Sequence, residues 1–155
     1  ILLHYLYKLS GFSKTVAFIA AVNESIWEHS KISFWPAFIF AVIEFFFIRK
    51  SAKNFITAKA ASLLAIPILT IGLFYAYTGI LGYNLLLIDI SIYFITIIVS
   101  FIISYKISVL DKLTPVVFKC SVIVLVILII AFSVFTFYPP YMEIFRDRHT
   151  GKFGF

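Results

Sequence analysis

Residues 60–82 carry no charge, and that uncharged length constrains the chain more than any other feature. A helix crosses a bilayer's hydrocarbon core in about 20 residues, rising ~1.5 Å at each. Three further stretches read the same way. Residues 85–105 hold one charge, Asp89. Residues 115–138 begin at Pro115 with Thr114 as a cap, suiting proline's place in a first helical turn. Residues 32–48 form a shorter span, opened by Pro36 and interrupted by Glu44.

Composition agrees. Of 155 residues, 63% are hydrophobic and 13% charged, against about 45–50% and 25% in soluble domains. A single soluble core of this length cannot hide so much apolar surface. The expected fold is an all-α, polytopic transmembrane helical bundle. It has four firm spans and one domain, residues 1–155, closed by a polar tail at 139–155. Residues 1–10 read as the end of a first helix whose upstream part the sequence omits, since no initiator Met is present. Residues 15–22 are too few to cross, so residues 13–29 are read as a re-entrant or short interfacial helix in a protein-lined niche.

Charge sets the expected orientation. Arg49, Lys50, Lys53 and Lys59 cluster in one loop, and Lys106 and Lys112 in another, so loops 49–59 and 106–114 are assigned to the cytoplasm. His4, residues 23–29, Asp89 and the tail then converge on the outer face. If residues 13–29 crossed fully, His4 would move to the other end. The net charge of +6 is scattered between apolar runs with no basic face, which excludes nucleic acid as a partner. Cys120, the single cysteine, rules out an intrachain disulfide.

The polar run Asn23-Glu24-Ser25-Ile26-Trp27-Glu28-His29 is the candidate site. On one helix Glu24 would align with Glu28, Asn23 with Trp27, and Ser25 with His29. Paired carboxylates with an imidazole suit a divalent ion or a shared proton, although the spacing matches no single-helix zinc or di-iron motif. Catalytic candidates are Glu24, Glu28, His29 and Asp89, and His4 joins these four as a metal-ligand candidate. Asn23, Ser25 and Trp27 are cofactor-contact candidates, with the cofactor itself unknown. The bland alternative has Glu24, Glu28, His29 and Lys31 solvating an interfacial loop, with Trp27 and Trp35 in an aromatic belt. Glu44 and Asp89 are ionisable groups inside spans; Glu44 is expected to pair with Arg49 or Lys53, and His149 to be solvated. Pro67 is read as a kink.

At these residues the chain resembles an uncharacterised family of small multi-span prokaryotic membrane proteins. Its signature is similar to Asn23 through His29 with Lys31 and Pro36, and extends to Leu3–Tyr7, Tyr138-Pro139-Pro140 and Phe145-Arg146-Asp147. The resemblance implies a further first span and a prokaryotic plasma membrane, but no activity. Three functions are compatible with the sequence. One is a non-catalytic membrane subunit or interaction module, with a homo-oligomer or partner subunit. The second is a membrane hydrolase or transferase, metal-assisted, at the outer face. The third is a small transporter or proton conductor using Glu44 and Asp89. Phosphate-binding loops, serine elbows and cysteine pairs are absent.

Overall fold

A computed structural model describes residues 2–154, excluding the side chains of Leu2 and His4. The described chain is helical: α1 (Leu2–Leu9), α2 (Lys14–Ala17), α3 (Ile26–Ile48), α4 (Phe55–Leu81), α5 (Leu86–Ser108) and α6 (Pro115–Phe137), followed by a 3₁₀ turn at Glu143–Phe145. Helices α3 to α6 are each long and apolar enough to cross a membrane. Up-and-down connections gather residues 18–25, the 82–85 turn and the 138–154 tail at one end, the tail end. The 49–54 and 109–114 loops form the basic end.

Capping chemistry sets the helix limits. Ser25 accepts a hydrogen bond from the Glu28 amide and starts α3, and Thr114 does the same for Val117 in α6. This satisfies amides that a helix start leaves open. Gly82, at φ 77°, ends α4 in the left-handed conformation and returns its amide to Thr78, a turn that suits glycine. At the basic end, buried Asn54 donates to the Leu110 and Asp111 carbonyls and accepts from the Leu113 amide.

These caps correct two readings. Residues 13–29 are not one helix: Lys14–Ala17 is helical, residues 18–25 form a connection, and α3 begins at Ile26. Pro36 therefore lies inside α3 rather than opening it. It removes one backbone bond from the helix interior. Lys59, assigned to a loop, lies within α4, which begins at Phe55.

Helix α4 is the hub, packing on α5, α3 and α6, through two kinds of interface. Along α5, Thr96, Ser100 and Ser104 are buried at four-residue spacing, and small side chains let backbones approach closely in a membrane. The α3–α6 interface is aromatic. Phe132 stacks on Phe34 and Trp27 at 4.2 and 4.5 Å between ring centres. Trp27 also meets Phe135 and, from the tail, Phe145 at 5.1 Å. Leu63, Ile66 and Leu128 complete this core. Trp27 is thus a core residue, not a belt residue.

Phe132→Ala is expected to cost about 3–5 kcal/mol, as for other buried aromatic truncations. Denaturant unfolding in detergent, followed by tryptophan fluorescence, measures it; a loss below ~1 kcal/mol would mean the aromatic layer is not the core.

Candidate functional site

The first two turns of α3 carry the polar run, and the helix divides it. Glu28 and Lys31 face the bundle interior, with side-chain exposures of 3% and 0%, and meet at 2.6 Å. Every polar atom of the pair is used. The Lys31 ammonium donates to Glu28, to the Ala17 carbonyl and to Thr136 Oγ1, the last two at 2.8 Å. Glu28 Oε2 also accepts from the Val22 amide at 3.0 Å, and Oε1 accepts from the Thr136 hydroxyl at 2.9 Å. Charges removed from water need this completeness, because a single missing partner leaves an uncompensated ion. The pair ties α3 to α6 and to the segment preceding α3. Sequence reading took Lys31 only as a solvated loop charge, though its three-residue spacing from Glu28 was a legible signal of pairing.

Residues 23–25 form the cap and hold the tail. Asn23 Oδ1 accepts from the Ser25 amide, and its Nδ2 donates to the Gly154 carbonyl at 2.8 Å. The Glu24 amide donates to Asp147 Oδ2. Asp147 Oδ1 takes the amides of His149 and Thr150. Burial raises the Asp147 pKa, but amide donors from Thr150, Glu24 and His149 more than offset it and leave the carboxyl below its ordinary value. Glu24 precedes the cap, so it does not align with Glu28 on one helix face.

His29 points the other way, into a cleft between α3, α4 and α5. Its Nδ1 lies 2.9 Å from the Ser25 carbonyl, and its Nε2 lies 3.5 Å from Glu24. Ile26, Ile32, Phe74 and Ile92 form apolar walls; His29, Ser33, Thr70, Asp89, Tyr93 and Arg148 supply polar groups. The volume is about 90 Å³. Asp89 accepts from the Tyr77 hydroxyl and from Asn84. Arg148 arrives from the tail and lies over the Phe74 ring, 3.6 Å from its centre. Burial lowers the Arg148 pKa from its ordinary value, opposed chiefly by the charge of Asp89. The Thr70 hydroxyl at the cleft floor is buried and has no hydrogen-bond partner among the described residues.

The structure therefore brings His29 and Asp89 to one cleft, with Glu24 beside His29. It places Glu28 in the core pair, Asn23 and Ser25 in the cap, and Trp27 in the aromatic core. The His4 side chain lies outside the described residues. Among these, no three His, Cys, Asp or Glu side chains gather as a metal site. Glu44 pairs with Lys59 at 2.6 Å rather than with Arg49 or Lys53, and Lys59 also donates to Ser104. That cluster lies toward the basic end, so Glu44 and Asp89 do not share the cleft. Arg148 escaped sequence reading because only the fold of the tail brings it to α4.

The chain belongs to a family described as a family of unknown function (DUF6512), which matches residues 1–155. No curated protein and no solved structure matches the chain.

Lys31→Met or Glu28→Gln alone should destabilise the protein by about 3–5 kcal/mol, whereas the double variant Glu28→Leu/Lys31→Met recovers most of that loss. Thermal unfolding in detergent reads the cycle; additive losses would refute a closed pair. The depressed Asp147 carboxyl stabilises the tail at neutral pH, and this contribution disappears as pH falls through its native value. An acid titration of tryptophan fluorescence, sensing Phe145 leaving Trp27, should show a transition below the ordinary carboxylate range. Asp147→Asn should abolish it.

Proposed function

We propose that this member of a family of unknown function is a non-catalytic binding subunit of a membrane, and that its tail-end cleft holds a ligand. One observation carries the reading. His29 on α3, Asp89 on α5 and Arg148 in the tail, far apart in sequence, line one cleft. Ionisable groups at membrane depth carry a standing cost and usually mark function. Glu28, the most buried carboxylate of the polar run, is committed to Lys31 and serves the scaffold. Basic loops 49–59 and 106–114 support a cytoplasmic basic end by the positive-inside rule. The cleft then opens outward from a prokaryotic plasma membrane, and a partner subunit or a second copy reads its occupancy.

A second reading has its own support. The Nδ1 contact of His29 with the Ser25 carbonyl fixes the ring and turns Nε2 toward Glu24, an orientation suited to a general base. Hydrolysis or transfer on a lipid-borne substrate, with Glu24, Asp89 and a divalent metal, would use that base. Glu28 is not available to such a site.

Mass spectrometry of small molecules released from detergent-purified protein tests the binding reading. The wild type is expected to release a near-stoichiometric component, and the cleft-filling variant Ile92→Trp, checked for an unchanged unfolding temperature, to release almost none. Equal release from both would sink the proposal. Turnover that vanishes in His29→Gln would transfer the site to the second reading.

A further inference from the structure

The cleft has a shape as well as a composition. At ~1.5 Å per residue, Asp89 lies about 5 Å below the start of α5 and Thr70 about 16 Å below the end of α4. A single leaflet of hydrocarbon is ~15 Å thick, half the bilayer core, so the ~11 Å between mouth and floor is less than one leaflet. Below the floor the gap between α3 and α5 closes, where Phe40 and Phe101 meet edge to face at 5.8 Å. Above that contact α3 and α5 each lean on α4 and touch one another sparsely. Ile26, Ile32 and Ile92 line the slot between them.

Charge at the mouth is not symmetric. Asp89 has both oxygens engaged, by Tyr77 and by Asn84. Arg148 makes no hydrogen bond or ion pair among the described residues; it is exposed, lies over Phe74, and feels the charges of Asp89 and Glu24. Its N–H donors are therefore what an entering head group meets. A guanidinium fork recognises planar or tetrahedral oxyanions. Deeper in, the Thr70 hydroxyl is buried without a partner.

Resting on the binding reading above, we infer that the cleft takes the oxyanion head of a membrane amphiphile, held by Arg148, with its proximal chain lying between α3 and α5 above Thr70. The shared chemistry is a carboxylate or phosphodiester on an apolar chain. Phe74 seats Arg148 at the mouth, and Phe40 with Phe101 sets how deep a chain descends.

The test places full-length protein in phosphatidylcholine nanodiscs doped with phosphatidylglycerol or with oleate, and counts retained amphiphile by native mass spectrometry. The wild type should retain one dopant molecule, and whichever dopant is retained identifies the source of the oxyanion. Arg148→Gln should weaken retention roughly tenfold or more, the scale of one charge-assisted hydrogen bond. Arg148→Lys should keep part of it. Unfolding temperatures equal to wild type show that the variants are folded. Retention untouched by Arg148→Gln but abolished by Ile92→Trp overturns the oxyanion assignment and leaves the binding reading standing. Full displacement by inorganic phosphate overturns the amphiphile. No retention in the wild type, together with no component released from Ile92→Trp or wild type in the earlier experiment, overturns both.

Discussion

A charge pair sealed from water must close all its own hydrogen bonds, and the tail end of this protein is arranged around that demand. Lys31 needs three acceptors and finds them on Glu28, Ala17 and Thr136. Glu28 in turn fixes the Val22 amide. Those bonds settle where residues 18–25 run, which places Asn23 and Glu24 to receive Gly154 and Asp147. With the tail docked there, Phe145 enters the aromatic core and Arg148 reaches Phe74. One buried ion pair thus determines a cleft it does not touch.

The location of the cleft follows from the contrast between interfaces. Small side chains draw α5 close to α4, whereas stacked rings of Trp27, Phe34 and Phe132 hold α3 and α6 at aromatic distance. A helix held tightly and a helix held by bulky rings leave a gap where they face each other across the hub. Polar groups at that gap are reachable; those inside either interface are not. His29 and Glu28 are neighbours in sequence, yet one borders the cleft and the other is sealed, because a residue step turns about 100° around a helix.

What was legible follows the same physics. Long apolar runs with at most one charge announced the four spans, since length and apolarity alone decide whether a helix can cross. The start of α3 was misplaced because Glu24, Glu28 and Lys31 looked too polar for a span, and the Ser25-x-x-Glu28 spacing was not used as a start signal. His29 and Asp89 were legible as polar residues near one membrane face. Arg148 was not, because it depends on a tail that doubles back through the 3₁₀ turn and the Arg146–Phe153 bridge. Lys59 read as a flanking charge because its partner Glu44 lies on another helix, and no local pattern encodes that pairing.

The Glu44–Lys59 contact joins consecutive helices linked by a short turn, and this has a bearing on biogenesis. Apolar α5 and α6 partition into lipid from the insertion machinery on their own. Helix α3 carries Glu28, Lys31 and Glu44, and a charged residue at a helix centre costs ~2.5–3.5 kcal/mol on insertion scales. Left alone in the translocon, α3 is a reluctant entrant. Paired with α4, it has Lys59 to neutralise Glu44, 2.6 Å away in the folded protein. Glu28 and Lys31 supply their own partner within α3, but their network closes only when Thr136 emerges, at the end of the last helix. Completion of the tail end therefore waits for α6.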